Sequence, residues 1–358
     1  MRPTFHALLV SDVRKETDEA VSIAFSIPEE LKEKYQFKAG QYLTLRASVN
    51  GEDIRRSYSI CSGEMEGELR VAIKKVYQGQ FSTWANEEIK VGMEVQVMTP
   101  MGHFTPTVRG QKRHYVLYAA GSGITPMLSI AKTMMKGEPE SEVTLIYGNR
   151  HFHGIMFRDE IEDLKDEYLG RLRVFHVLSG EPNDISLFHG RIDDEKIEGF
   201  TKQFIPIDSV NEVFVCGPEP MIMAVKEFYK GKGLLDENIH FELFGTPGSN
   251  KTEMKEIKKV VNNEGLSDVT VIFDGNYTQF KMPKSGEMIL DAAQKAGLDI
   301  PFSCKGGMCC TCRAHIREGA VDMKVNYALE PGEVESGFVL TCQSIPTSDR
   351  VVVDFDKV

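Results

Sequence analysis

One tryptophan is present among 358 residues, basic side chains do not outnumber acidic ones, and no apolar run reaches the roughly 18 residues that a membrane-spanning helix needs. The net charge of −11 argues against nucleic acid or an anionic membrane as a partner, since both reward basic surfaces. No apolar run follows the opening Met1-Arg2-Pro3-Thr4-Phe5-His6, so a signal peptide is not expected and the cytoplasm is the expected compartment. A Ser-His-Asp hydrolase lacks its G-x-S-x-G elbow, because Gly121-Ser122-Gly123 has the wrong frame. The nine histidines are scattered, and His151-x-His153 reads as surface rather than metal site. Cysteine is nearly absent from most of the chain, yet five of the seven crowd into the last 55 positions. In a reducing compartment such clustering suggests metal ligation before disulfides.

The length exceeds one typical core, so two or three domains are expected. Residues 1–108 alternate apolar and polar in short runs, as in Ala20-Val21-Ser22-Ile23-Ala24-Phe25, with Asn50-Gly51 as a hairpin turn. This pattern predicts an antiparallel barrel or sandwich. Residues 109–245 change texture. Continuous apolar strands at Tyr115–Ala120, Val143–Tyr147, Leu172–Leu178 and Val213–Cys216 alternate with helix-period segments, which predicts an α/β domain with a parallel sheet covered on both faces. Residues 246–267 are polar and Lys/Glu-rich and read as a linker, and residues 268–358 form a small separate domain holding the cysteines.

That last domain carries the most specific motif. Cys304, Cys309 and Cys312 follow C-x4-C-x2-C, and Cys342 comes after 29 intervening residues, a plant-type 2Fe-2S spacing. Lys305-Gly306-Gly307-Met308 supplies two glycines that allow a tight curl and lets backbone N–H groups aim at sulfur. Structural zinc is the alternative, but it usually uses paired C-x2-C units and only one is present. Cys310 lies in the loop without fitting the ligand spacing and reads as a packing residue.

A cluster accepts single electrons, so a source is needed. The run Tyr115–Ala120 ends in Gly121-Ser122-Gly123-Ile124-Thr125-Pro126, a glycine turn feeding a helix, with Thr125 placed to cap it and Pro126 in its first turn. Such a turn cradles a pyrophosphate, although G-x-G-x-x-P departs from the dinucleotide fingerprint. A second strand end, Val213-Phe214-Val215-Cys216-Gly217-Pro218, also turns into a helix where ligands bind α/β sheets, and Cys216 by itself reads as a core thiol before it reads as a ligand contact. A hydride donor and a one-electron cluster need a flavin between them. Arg56 and Tyr58 share a face of one strand and can offer a phosphate clamp and a stacking ring, and Gly79-Gln80-Phe81-Ser82 precedes a helical segment that can offer N–H groups to a second phosphate. A solvated edge strand is the bland alternative for the Arg-rich segment.

Together, Arg56-x-Tyr58-Ser59, Gly121-x-Gly123-Ile124-Thr125-Pro126, Cys216-Gly217-Pro218-x-x-Met221 and the spaced cysteines resemble the ferredoxin–NADP reductase superfamily with a C-terminal plant-type ferredoxin domain. Tyr147-Gly148-Asn149-Arg150, His189-Gly190-Arg191-Ile192-Asp193 and Asn326-Tyr327-x-Leu329-Glu330-Pro331 are similar to the reductase subunits of phenylacetyl-CoA monooxygenase (epoxidase) complexes. The resemblance implies a flavin-binding β-barrel, a nicotinamide-binding α/β domain and a β-grasp ferredoxin domain, with FAD, NADPH in preference to NADH, and a 2Fe-2S cluster. It implies FAD contacts from Arg56, Tyr58, Ser59, Lys74, Gly79, Phe81, Ser82 and Phe244. It implies nicotinamide-nucleotide contacts from Gly121, Gly123, Thr125, Pro126, Arg150, Cys216, Gly217, Pro218 and Met221. Hydride transfer would occur among Ser59, Cys216 and Glu242, and Cys304, Cys309, Cys312 and Cys342 would ligate the cluster. Arg150 would meet the ribose 2′-phosphate; an ion pair to Asp159 or Glu160 is its alternative. The implied partner is an oxygenase component, a di-iron subunit acting on phenylacetyl-CoA. Other readings are a reductase for another hydroxylase and a flavin/2Fe-2S redox sensor without turnover.

Overall fold

A computed structural model describes residues 4–107, 110–244 and 265–357. Two compact units result, one built from Phe5–Ile54 and Tyr58–Phe244, the other holding the C-terminal residues 265–357. Among the described residues no helix is long and apolar enough to cross a membrane.

The first unit opens with a six-stranded antiparallel sheet. Its strands are β1 (Phe5–Thr17), β2 (Ala20–Ser26), β3 (Tyr42–Val49), β4 (Glu52–Ser59), β5 (Leu69–Lys74) and, after helix α1 (Gln80–Glu87), β6 (Glu94–Met98), in the order β4-β3-β6-β1-β2-β5. Asn50 (φ 54°) and Gly51 (φ 82°) both adopt the left-handed conformation, as a two-residue hairpin turn matched to strand twist requires. Just past β4, Ile60 bridges Val71 of β5, so the sheet curls back on its far edge. Leu8, Ile23, Leu43, Leu45, Ile60, Val71, Ile73 and Val97 fill the interior and are fully buried, which is what period-two alternation of apolar residues delivers.

A parallel sheet follows: β7 (His114–Ala120), β8 (Glu142–Asn149), β9 (Leu172–Leu178), β10 (Glu212–Gly217) and β11 (Ile239–Leu243), in the order β11-β10-β7-β8-β9. Helices α2 (Ile124–Gly137), α3 (Arg158–Glu167), α4 (Asp194–Phe204) and α5 (Glu219–Gly231) cover it. The near-continuous apolar strands serve both faces. Tyr115, Leu117 and Ala119 pack with α2 and α3, while Val116 and Tyr118 pack with α4 and α5. The barrel adds Ala20, Ala39, Cys61, Ala72 and Phe104 to the α2 side, so one apolar cluster spans both sheets. Strand order reverses between β7 and β10, and there the sheet has its switch point.

The C-terminal unit contains β12 (Leu266–Phe273), β13 (Asn276–Pro283), α6 (Ile289–Lys295), β14 (Arg313–Glu318), β15 (Val321–Met323), α7 (Pro331–Glu335), β16 (Phe338–Leu340), β17 (Ser344–Pro346) and β18 (Arg350–Asp354). The main sheet runs β13-β12-β18-β14-β16, with β12 and β18 parallel at its centre, the β-grasp arrangement. Of the predicted linker, residues 246–264 lie outside the described residues, and Leu266 and Ser267 already belong to β12, where they pair with Pro283 and Met282.

Candidate functional site

The switch point gathers the glycine-rich segments. β7 and β10 run side by side with Ala119 opposite Cys216, so the Gly121–Gly123 turn leaves one strand where Cys216-Gly217 leaves the next. Gly121 adopts φ 54°, and its carbonyl accepts a hydrogen bond from the Tyr147 hydroxyl at 3.0 Å. A Cβ on Gly123 would stand 2.2 Å from the Cys216 carbonyl oxygen, so only glycine allows this approach. The turn and the start of α2 lie at the carboxyl edge of the sheet, where the Ile124 N–H is held by the Gly121 and Ser122 carbonyls and Pro126 carries no N–H. Thr125 does not cap α2; Gly123 holds the N-cap position without a side-chain bond, and Thr125, buried inside the first turn, donates its hydroxyl to the Ser122 carbonyl at 3.0 Å. The glycines tighten the chain into a 3-10 turn, and α2 starts two residues earlier than a Thr125 cap would have it. Pro126 does lie in the first turn.

Cys216 is fully buried, and burial together with the nearby Glu242 carboxylate pushes its thiol well above the usual range. β10 pairs with β11 so that Cys216 faces Glu242 in register. Glu242 is half-buried, and desolvation of its carboxyl pushes it up to about 7, while the hydrogen bond it accepts at 3.0 Å from the Ser59 hydroxyl acts in the opposite direction. This bond crosses from the end of β4 to the end of β11. Barrel and parallel sheet therefore meet at Ser59, Cys216 and Glu242. Gly217 has Met221 folded over it, and Met221 is a core residue on the α5 side, while Pro218 holds the N-cap position of α5. Phe244 ends the described part of this unit with an exposed ring.

On the barrel, Tyr58 is half-buried and its ring lies 5.7 Å from that of Phe81. Phe81 is itself buried in the barrel core against Trp84, so its side chain braces Tyr58 and only its backbone is available to a ligand. Arg56, half-buried on the same strand, donates to the Arg55 carbonyl at 2.7 Å. Gly79 starts α1 without a side-chain cap, and a Cβ there would fall 2.5 Å from the Ser82 hydroxyl. That hydroxyl accepts from the Val76 N–H at 3.0 Å and donates to the Gly79 carbonyl at 3.1 Å. Ser82 thus shapes the loop, and the unpaired N–H groups of the first turn are what an anion would meet. Lys74, half-buried, ends β5 just before this loop. Tyr77, 89% exposed in the same loop, is an aromatic that sequence reasoning missed, because no local pattern distinguishes an exposed ring from a buried one.

At the carboxyl ends of β8 and β9, Arg150, Ser179, Gly180, Gly190 and Arg191 line a cleft of about 640 Å³. The predicted alternative partners of Arg150 are engaged elsewhere: Glu160 pairs with Lys132 and Asp159 with Arg158. Arg191 was legible only as part of a motif. Its place beside Arg150 depends on the Leu178–His189 bridge, which no spacing reveals.

The cysteine loop lies in the C-terminal unit. Cys304 and Cys309 have sulfurs 3.2 Å apart, and Cys312 forms the second pair with Cys342. Cys310 lies between them in the chain, buried and outside the pairs. Among the described residues no three such side chains converge to hold a single ion. Two pairs suit a binuclear cluster with two thiolates per iron, and they do not suit a mononuclear tetrahedral zinc site. Within each pair one thiol is lowered and its partner raised: Cys304 is lowered first by the Cys309 thiol and then by the N–H groups of Gly306, Met308 and Cys309, and Cys342 is lowered chiefly by its bond from Cys312. Lys305 (φ 51°) and Gly307 (φ 76°) make the curl, and a Cβ on Gly307 would lie 2.9 Å from the Val325 carbonyl oxygen. The donor set, its pairing and its inward N–H groups fit a 2Fe-2S cluster.

Comparison with known proteins agrees with this division. Residues 8–105 match an oxidoreductase FAD-binding domain, 117–227 an oxidoreductase NAD-binding domain and 271–347 a 2Fe-2S iron-sulfur cluster binding domain. The chain is 45% identical to a component of the 1,2-phenylacetyl-CoA epoxidase of Escherichia coli K12, over 99% of this chain and 98% of that protein. It is 32% identical to the ferredoxin reductase component of 3-ketosteroid-9-alpha-monooxygenase of Mycolicibacterium smegmatis, over 98% and 97% of the two chains. The fold is similar to that of phthalate dioxygenase reductase, with a TM-score of 0.61, 24% identity and 98% of both chains covered. A flavin-ready barrel, a nucleotide-ready switch point and a paired-cysteine loop on one polypeptide place the chain in the family of oxygenase reductase components that combine FAD-binding, NAD-binding and 2Fe-2S domains.

Proposed function

We propose that the chain oxidises NADPH and delivers electrons singly to the di-iron oxygenase component of a phenylacetyl-CoA epoxidase system. The acceptor rests on 45% identity, along 99% of the chain, to the Escherichia coli epoxidase component. The donor rests on the cleft where Arg150 and Arg191 stand together, one strand over from the Gly121–Gly123 turn. A dianionic 2′-phosphate suits two guanidinium groups and the Ser179 hydroxyl, and an unphosphorylated ribose makes no use of them.

Bound FAD supplies the conversion of a two-electron hydride into two single electrons, which a 2Fe-2S cluster carries onward one at a time. The chain's own residues do the rest. The Gly121–Gly123 turn and the first turn of α2 receive the pyrophosphate, with Thr125 and Pro126 fixing that turn. Gly217 and Pro218 keep the neighbouring strand end low, and Cys216 forms the apolar floor where the nicotinamide ring lies. Ser59 and Glu242 hold a proton between them at 3.0 Å at the meeting point of the two sheets. Arg56, Lys74 and the N–H groups of Gln80, Phe81 and Ser82 hold the FAD phosphates, Tyr58 lies along the flavin, and Phe244 covers its face. Thiolate ligation by the four cysteines suits a reducing compartment, the cytoplasm.

The test is anaerobic. NADPH should bleach the flavin band and then the cluster band, and NADH should need a much higher concentration. Arg150→Ala with Arg191→Ala should raise KM for NADPH about tenfold or more, the scale of losing one charged hydrogen bond, and leave KM for NADH unchanged. Faster electron delivery to a purified ketosteroid monooxygenase than to a phenylacetyl-CoA epoxidase oxygenase would overturn the acceptor assignment.

A further inference from the structure

α2 carries a polar stripe where a buried helix face would ordinarily be apolar. Ser129, Lys132, Thr133 and Lys136 recur at i, i+3, i+4 and i+7 and so share one side of the helix. All four reach the barrel loop between β4 and β5. The Ser129 hydroxyl donates to the Ser62 carbonyl at 2.7 Å, the Glu64 N–H donates to the Thr133 hydroxyl at 3.1 Å, and Lys136 Nζ donates to the Met65 carbonyl at 3.2 Å. Lys132 Nζ is 3.1 Å from Glu66 Oε2 and also pairs with Glu160 of α3. The loop is held in shape from its own side, since Glu66 Oε2 accepts the Gly63 N–H at 2.7 Å and Glu64 accepts the Ala39 N–H at 2.7 Å. Ser129 is fully buried, Thr133 nearly so, and the Lys132 side chain is 10% exposed.

The position of this strap matters more than its strength. Its barrel end begins three residues after Ser59, and its helix end begins six residues after Gly123. The strap therefore ties the flavin side of the site to the nicotinamide side by a route separate from the Ser59–Glu242 bond. An apolar contact is non-directional and lets two surfaces slide, whereas four hydrogen-bonded points fix one register. We propose that the α2 strap sets the approach of the two reacting rings, with Lys132 as its positioning residue. This rests on hydride transfer occurring at Ser59 and Cys216.

The experiment uses the FAD- and cluster-loaded full chain. Lys132→Met should slow flavin reduction at saturating NADPH about tenfold, because sub-ångström misplacement of reacting groups is costly in rate. The Kd for NADP⁺ and the flavin content should stay the same. The primary isotope effect with 4-deuterated NADPH should become more temperature-dependent, and amide exchange should rise over residues 61–67. Lys132→Arg should restore the rate. Should Lys132→Met fail to retain FAD, Ser129→Ala with Thr133→Val is put through the same measurements. A saturated rate within twofold of the parent, or a rate loss matched by equal loss of NADP⁺ affinity, overturns the proposal. Absence of NADPH-driven flavin reduction in the parent chain would instead overturn the reading on which it rests.

Discussion

Gly123 shows how a single missing atom decides a site. A Cβ there would sit 2.2 Å from one backbone atom and 2.7 Å from the next, both on Cys216, and backbone in a packed sheet cannot retreat. Gly123→Ala should therefore push apart two strand ends and lower kcat/KM for NADPH about a hundredfold, the loss that ångström-scale displacement produces, while FAD stays bound. Steady-state kinetics beside a flavin absorbance ratio would check both halves of that statement. Glu242 makes a different kind of prediction. Its carboxyl is held up to about 7 chiefly by desolvation, so between the ordinary carboxyl range and pH 7 the folded chain keeps a proton that the unfolded chain has released. Stability falls as pH rises through that window. With hydride transfer placed at Ser59 and Cys216 as proposed, electron density would arrive beside this group, which a neutral carboxyl tolerates better than an ionised one, so single-turnover flavin reduction should slow as pH rises through about 7. Glu242→Gln should flatten that profile. Cys61 offers no such handle: its thiol donates to the Arg70 carbonyl at 3.4 Å, and burial pushes it far above the reactive range.

At the scale of elements, what could be read from the chain was what its local period dictates. The strands Tyr115–Ala120 and Leu172–Leu178 follow from which faces are buried, and burial writes itself into residue order, while the Asn50-Gly51 turn follows from two residues that tolerate left-handed backbone. The misplaced Thr125 cap has the opposite origin. Thr-Pro is a good helix start, but the close approach of Gly123 to Cys216, 93 residues away, pulls the first turn forward. The same holds for Ser82, whose hydroxyl is spent on its own loop, and for Arg191, brought beside Arg150 by a bridge between distant segments. The α2 stripe was hidden for a related reason, since Ser, Lys and Thr at helical spacing look like a solvated face until a loop lies across them. The cysteine loop is an element where both levels agree. Gly307 needs φ 76° and has a carbonyl 2.9 Å from where its Cβ would be, so Gly307→Ala should lower cluster content per chain and the midpoint of cluster loss on heating, read from visible absorbance.

For the molecule as a whole, the division into two units separates flavin reduction from electron export. Cys342→Ser removes one member of the second thiol pair and leaves every residue at the switch point untouched. NADPH should then bleach the flavin at the parental rate while delivery to an oxygenase is lost. Stripping iron with a chelator should reproduce that split. Parallel loss of both reactions would show that the two units do not act in sequence.

The central pairing of β12 with β18 also has a mechanical consequence. The two strands run the same way, with Asp268 opposite Arg350 and Ile272 opposite Asp354. Tension entering at Leu266 and leaving beyond Asp354 loads all five rungs at once, in shear, and cannot peel them off singly. The C-terminal unit therefore resists a pull between these two strand ends as one body rather than rung by rung.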